Sequence, residues 1–343
     1  SLPRIAKADE SLDNWNYNQE IPITENVAIH GAVEISKGCG RNCQFCTPTM
    51  QHKIDVPLDK IMKEVALSVA QGSDHITLIT EDMFLYGAKD PRFVPNREAV
   101  VKLFKTVADY PGVKSIQAAH MSLAPVWQDP KMIRELAEIL IEKSWYSFGK
   151  KPIITAETGI ETGSSRLMKK YMAGKMLPFQ PEQWQDVVTN AFGILNDNDW
   201  YPLATLIIGL PDEKEEDMLQ TLELMDKLKD YNAFYVPLFF VPLENCVLMK
   251  QKGAEMDSLS KARWDFFIKC WEYNIKIWKP TFLENRLQNP MLYNAFDKVL
   301  IPYFGKILGA YYSLTRGETG EQFKQAVYQL SLPLPDNGRR TSG

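Results

Sequence analysis

Residues 29–46 run IHGAVEISKGCGRNCQFC, a short apolar stretch that ends in a loop of glycines and thiols. Ile29 to Ser36 is rich in apolar and β-branched residues and predicts a strand; Gly38 and Gly40 interrupt it and permit a tight loop. On that loop Cys39, Cys43 and Cys46 place three thiols within eight residues, close enough to fold around one small object. Thiolates are soft ligands suited to iron–sulfur clusters and to zinc. Three ligands leave a fourth position. A structural zinc closes it with another protein ligand, for which His52 is the candidate, whereas an iron with an open site binds and activates a small molecule. Cys246 and Cys270 lack ligand spacing and read as small buried hydrophobes.

The strand-then-loop pattern repeats along the chain. Further strands are expected at 75–80, 115–120, 153–158, 203–209 and 233–241. Between strands, apolar residues recur at three- and four-residue steps. Leu58, Ile61, Met62, Val65 and Val69 form one such set, and Leu219, Leu222, Leu224, Met225 and Leu228 another, the spacing of amphipathic helices. Strands alternating with helices through right-handed crossovers build a parallel sheet whose loops converge at the strands' C-terminal ends. The predicted class is therefore α/β, a partial (β/α)6 TIM-like barrel over residues 28–242 behind a linker at 1–27. After Pro242 the alternation stops. A helical C-terminal unit is expected over 243–330, with an aromatic-rich stretch at 258–279 and a strongly apolar one at 291–314, and 331–343 reads as a loose tail.

Of 343 residues 45% are hydrophobic and 24% charged, the balance of a folded globular chain. Lys plus Arg number 39 against 43 Asp plus Glu, for a formal charge of −4, and no basic run offers a footprint for nucleic acid, so no such partner is expected. No run is apolar for long enough to span a bilayer and the N-terminus lacks a signal-peptide pattern, which predicts a cytoplasmic protein. The 291–314 stretch carries Lys298 and Lys306 and is broken at Pro302; it reads as packed helices rather than a membrane-surface contact, and keeps an apolar substrate in view.

Cys-x3-Cys-x2-Cys, with Phe45 just before the last cysteine and the whole motif ending the first barrel strand, resembles the signature of the radical S-adenosylmethionine (radical SAM) superfamily. The resemblance implies that Cys39, Cys43 and Cys46 hold a 4Fe-4S cluster and that the methionyl end of S-adenosylmethionine chelates its fourth iron. It also implies that one electron cleaves the sulfonium to a 5′-deoxyadenosyl radical, which abstracts hydrogen from substrate. Thr80-Glu81-Asp82 ends the second strand, where the family often has a Gly-Gly-Glu-like element, which makes Glu81 the implied contact to the methionyl amine and Asp82 its alternative. Glu157-Thr158-Gly159-Ile160-Glu161-Thr162-Gly163-Ser164 is similar to the family's Gly-x-Glu-(Ser/Thr)-Gly-Ser element, implying Glu161 near the ribose or methionyl end and Ser164 beside it as a helix cap. Ile207, Ile208, Gly209 and Leu210, followed by Pro211, resemble the Gly-Leu-Pro-Gly-Glu segment that packs along adenine, although Asp212 stands where glycine is usual. With Phe45, these are the expected cofactor contacts. Tyr86 and His120, after the second and third strands, are the candidate catalytic residues.

Within the superfamily, Glu34 to Arg41, Thr47-Pro48 and the later elements most resemble the cobalamin-associated branch. Here about 28 residues precede the first strand and no Asp-x-His-x2-Gly motif occurs, so either the chain is a piece of a longer protein that uses cobalamin, for which Leu2-Pro3-Arg4-Ile5 resembles the interdomain linker, or it works without cobalamin. The resemblance implies methylation, cyclisation or carbon–carbon bond formation on a small-molecule or lipid-like substrate, with a reducing electron donor such as ferredoxin or flavodoxin. The aromatic set from Phe239 to Trp278 reads mainly as packing. The competing class is a structural zinc or electron-transfer iron–sulfur module without this chemistry.

Overall fold

Alternate residues of each barrel strand are buried to different degrees, and that alternation defines the architecture. The computed structural model describes residues 24, 26–48, 51–255 and 259–286. Six parallel strands form its centre: β1 (Ala32–Glu34), β2 (His75–Ile79), β3 (Ser115–Ala118), β4 (Glu157–Glu161), β5 (Leu203–Ile208) and β6 (Phe234–Phe239). β1, β2 and β3 pair in sequence order, as do β4, β5 and β6, all parallel. A parallel bridge between His120 and Glu157 joins the two halves, with Glu157 N–H donating to Ala119 O and Met121 N–H to Glu157 O, both at 2.8 Å. Among the described residues β1 and β6 do not pair, so the barrel is open.

Helices cover the outside. They are α1 (Leu58–Ala70), α2 (Arg97–Ala108), α3 (Leu123–Gln128), α4 (Pro130–Leu140), α5 (Ser165–Tyr171), α6 (Trp184–Asp197), α7 (Glu215–Leu228) and α8 (Lys261–Arg286). Their starts carry local signals: Asn96 accepts the Ala99 N–H at 3.2 Å, and Asp129 accepts that of Met132 at 3.0 Å beside Pro130. Outward-facing Val33, Ile76, Leu78, Ile160, Ala204, Leu206, Ile208 and Tyr235 are fully buried beneath these helices. Inward-facing Glu34, Thr77, Gln117, Glu157, Gly159, Leu203 and Val236 are only half-buried, and Leu238 is exposed. The hydrophobic core thus lies between sheet and helices, and the interior, which a closed barrel fills with layered side chains, stays open. α8 covers the outer edge of β6, where Asn274 accepts the Tyr235 N–H and donates to the Tyr235 carbonyl, each at 2.7 Å.

Several boundaries differ from the sequence reading. The fourth strand is Glu157–Glu161 rather than 153–158, because Tyr146–Phe148 and Lys151–Ile153 form an antiparallel hairpin outside the barrel and Ile154 makes only a bridge to Trp200. The first strand is shortened: His30 and Gly31 both take φ 57° in a 3-10 turn, and Ser36–Lys37 leaves the barrel to pair with Ile54–Asp55. On α7, Leu219 is exposed and Met218 takes the buried position. The 258–279 helix is Lys261–Arg286, whereas the 291–314 stretch lies outside the described residues. Phe239 stacks on Phe267, and Phe234 and Tyr235 meet Trp271 and Tyr273 edge to face, so these aromatics bind α8 to β6.

Candidate cluster and cofactor site

The cysteine loop crosses the C-terminal mouth of the barrel and is tied down on both sides. Gln44 N–H donates to the Tyr171 carbonyl at 2.9 Å, Leu248 N–H donates to the Gln44 carbonyl at 3.1 Å, and Thr47 Oγ1 donates to the Glu244 carbonyl at 2.7 Å. Gly38 must be glycine: its φ is 69°, and a Cβ would stand 2.6 Å from the His52 carbonyl oxygen. Cys39 and Cys43 are buried and Cys46 half-buried. Burial pushes the Cys39 thiol up to about 12 and the Cys43 thiol to about 11, so neither ionises alone; coordination to a metal deprotonates such thiols outright.

All three cysteines and Phe45 line a cavity of about 420 Å³ that opens into the barrel and is bordered on its far side by Glu81, His120, Glu157 and Glu161. Unsatisfied polar atoms gather there. Of the four buried side-chain polar atoms without a hydrogen-bond partner among the described residues, three belong to residues lining this cavity: Arg41 Nε, Glu81 Oε2 and Thr158 Oγ1. An orphaned carboxylate oxygen at the end of β2 suits an incoming ammonium group, which is what the methionyl amine of S-adenosylmethionine offers. Burial raises the Glu81 pKa, against the backbone N–H groups of Glu81 and Gly38 that bond its carboxylate.

Asp82, the alternative contact, is fully engaged. Its oxygens accept from Arg41 Nη2 at 2.9 Å, from Ser122 Oγ, and from the backbone N–H groups of Phe84 and Ser122, both at 3.2 Å. It organises the loops and leaves Glu81 facing the cavity.

Glu161 ends β4 with φ 62°, after a register shift between Gly159 and Glu161, and its carboxylate is paired with the largely covered Lys175. Gly159 leaves room for that pair, since a Cβ there would lie 1.9 Å from Glu161 Oε1. Burial opposes the Lys175 charge, but the Glu161 carboxylate outweighs it and holds the ammonium pKa above its ordinary value. His120 Nδ1 donates to the Thr80 carbonyl at 3.0 Å, and Nε2 faces Glu157 Oε2 at 3.5 Å. A carbonyl only accepts, so Nδ1 carries a proton, and an Nε2 turned to a carboxylate calls for a second. His120 is therefore raised chiefly by Glu157, and Glu157 is lowered by His120.

The remaining expected residues stand elsewhere. Ser164 is fully buried, donates to Asp217 Oδ1 at 2.5 Å and caps α5 by accepting the Leu167 N–H at 3.3 Å. Tyr86 is buried and donates to the Val56 carbonyl at 3.0 Å. Ile207, Ile208, Gly209 and Leu210 are not among the residues lining the cavity; Thr205, two residues before them, is. Asp212 keeps the left-handed conformation of the glycine it replaces, at φ 57°, and its carboxylate pairs with Lys170. His52, the candidate fourth zinc ligand, is exposed and outside the cavity wall.

The donor set fits a 4Fe-4S cluster. Each thiolate of such a cluster bonds its own iron, so the sulfurs need not converge on one point as zinc ligands must. Among the described residues no three His, Cys, Asp or Glu side chains converge on a single metal ion. Arg41, Ser122, Glu157 and Lys175 were not singled out by sequence reasoning. Arg41 sits visibly inside the triplet, whereas Lys175 carries no local signal and reaches Glu161 only through the fold.

An open parallel barrel carries a three-thiol loop and an orphaned carboxylate at one mouth, and distant sequence similarity links the chain to methylthiotransferases. The chain is similar to the tRNA-2-methylthio-N(6)-dimethylallyladenosine synthase of Aliarcobacter butzleri, 25% identical over 228 residues, 64% of this chain and 46% of that protein. It is also similar to the ribosomal protein uS12 methylthiotransferase RimO of Nitratiruptor sp., 25% identical over 212 residues, 61% of this chain and 43% of that protein. The chain spans about half the length of the curated relatives it matches. The solved structure of the radical S-adenosylmethionine methyltransferase TsrM from Kitasatospora setae, with cobalamin and an iron–sulfur cluster bound, aligns with a TM-score of 0.47 at 11% identity, covering 64% of this chain and 38% of that one. No family model matches the chain. Among the described residues no helix is long and apolar enough to cross a membrane.

Proposed function

We propose that this chain is a radical SAM enzyme of the group-transfer kind, in which Cys39, Cys43 and Cys46 hold a 4Fe-4S cluster and Glu81 receives the methionyl amine of S-adenosylmethionine. When bound, the cluster and S-adenosylmethionine supply one-electron reductive cleavage of a sulfonium, the source of hydrogen abstraction. The protein's part is binding and exclusion. Glu81 orients the ammonium, the Glu161–Lys175 pair borders the cysteines, and the fully buried outer face of the sheet keeps water out from behind. The observation that carries the reading is the shared cavity that brings the thiol loop and the unsatisfied Glu81 oxygen to one barrel mouth.

The substrate is proposed to be a small molecule with an apolar part. Pro48, Ile79 and Met121 give the cavity apolar lining, beside the polar His120–Glu157 pair. The methylthiotransferase names of the relatives support a transferase; cyclisation and carbon–carbon bond formation are the neighbouring outcomes. Cobalamin use rests on the branch resemblance alone, and no described residue is assigned to it. An electron donor such as ferredoxin or flavodoxin completes the scheme.

Anaerobic reconstitution tests it. Iron and sulfide are expected on the wild-type chain, with 5′-deoxyadenosine released on reduction in the presence of S-adenosylmethionine. A colourless, zinc-loaded protein that releases none overturns it in favour of a structural zinc module.

A further inference from the structure

Arg41 lies between Cys39 and Cys43, yet its guanidinium, only 4% exposed, is engaged almost entirely with the protein itself. Nη2 donates to Asp82 Oδ2 at 2.9 Å and to Ser122 Oγ at 3.0 Å. Nη1 donates to the Gly174 carbonyl at 3.1 Å and to the Lys175 carbonyl at 3.3 Å. The guanidinium carbon stands 4.6 Å from the centre of the Phe93 ring. These acceptors belong to three separate loops, following β2, β3 and α5. Each loop also carries a wall of the cavity: Glu81 beside Asp82, His120 before Ser122, and Lys175 itself.

Such a junction needs a planar fork. Two edges of a guanidinium reach acceptors on opposite sides at once, whereas an ammonium offers a single point of attachment. The 174–175 loop seats directly on the cysteine loop, because a Cβ at Gly174 would stand 2.2 Å from the Arg41 carbonyl oxygen. Both Nη groups are engaged, so Arg41 acts as a strut, and Nε is the one donor of the guanidinium left without a partner among the described residues.

We infer that Arg41 is a positioning residue that locks the cysteine loop to the loops bearing Glu81, His120 and Lys175, so that thiols and cofactor walls are in register before a cluster is bound. The inference rests on the cluster reading above. Supports that orient metal ligands are typically worth ten- to a hundredfold in metal retention when removed.

The test compares Arg41→Lys and Arg41→Met with wild type in the full chain after anaerobic reconstitution. Iron and sulfide per chain are measured after gel filtration. The second readout is the change in the reduced cluster's electron paramagnetic resonance spectrum on adding S-adenosylmethionine. Both variants are expected to retain cluster on the order of tenfold less firmly, without rescue by lysine although its charge is kept, and to lose the cofactor-dependent spectral change. Thermal melts by circular dichroism establish that the variants fold. Where Arg41→Lys does not, Ser122→Ala, which removes one acceptor and leaves the guanidinium, is expected to show intermediate retention. Wild-type retention and spectral response in Arg41→Lys, or in Ser122→Ala where lysine is not tolerated, overturns the inference. A wild-type chain that binds no iron and sulfide overturns the cluster reading, and this inference with it.

Discussion

The Glu81 and Asp82 carboxylates are neighbours in sequence, yet Asp82 is bonded on every side and Glu81 keeps one buried oxygen without a partner. Substitution separates the two roles. Asp82→Asn leaves the buried Arg41 charge uncompensated and is expected to cost roughly 3–5 kcal/mol of folding stability, read by denaturant unfolding. Glu81→Gln is expected to keep stability and iron content while weakening S-adenosylmethionine binding by roughly 1.5–3 kcal/mol, read by equilibrium dialysis. A folding loss in Glu81→Gln equal to that of Asp82→Asn contradicts the assignment. At the opposite wall, His120 is raised and Glu157 lowered by each other. The pair's contribution is complete between the ordinary carboxylate and ordinary histidine values. It is lost on the alkaline side as pH rises through the raised His120 value, and on the acid side as pH falls through the lowered Glu157 value. Glu157→Gln is expected to bring the His120 titration, followed by NMR, down toward the ordinary histidine value. Both side chains are about half exposed, 46% and 45%, so the stability at stake is small even though the titration shift is measurable.

Among the elements, the turn after β5 shows how a departure from a family pattern is accommodated. Asp212 takes a left-handed φ of 57° because short polar side chains tolerate it, and Lys170 and the Tyr171 hydroxyl bond its carboxylate from outside. The turn then delivers Glu213, whose carboxylate accepts the Gly209 N–H and pairs with Arg263 of α8 at 2.7 Å. Two melts check this. Asp212→Gly is expected to melt at or above wild type, and Asp212→Ala below Asp212→Gly, because both lose the exposed ion pair but only alanine keeps the steric penalty of a positive φ. The reverse order removes the conformational account.

For the whole molecule, the two faces of one sheet do different work. Outward Leu206 is sealed under helices, while inward Val236 faces an open interior. Leu206→Ala is therefore expected to cost roughly 2–5 kcal/mol in chemical denaturation, as core truncations do. Val236→Ala is expected to cost well under half as much. Equal losses mean that the interior is packed rather than open.

The thiol spacing of Cys39, Cys43 and Cys46, the alternation of strands with amphipathic helices, and the capping of α5 by Ser164 are local patterns, and each is readable from neighbours a few positions apart. The six-stranded parallel order follows from them, since short crossovers leave few other topologies. Selection among residues of like chemistry is non-local. Only the folded chain brings Lys175 to Glu161, threads Arg41 among three loops, engages Asp82 while leaving Glu81 open, and moves the fourth strand onto Glu157–Glu161 by drawing Lys151–Ile153 into a hairpin. Those outcomes depend on packing and hydrogen-bond satisfaction between segments distant in sequence, which no window of periodicity contains.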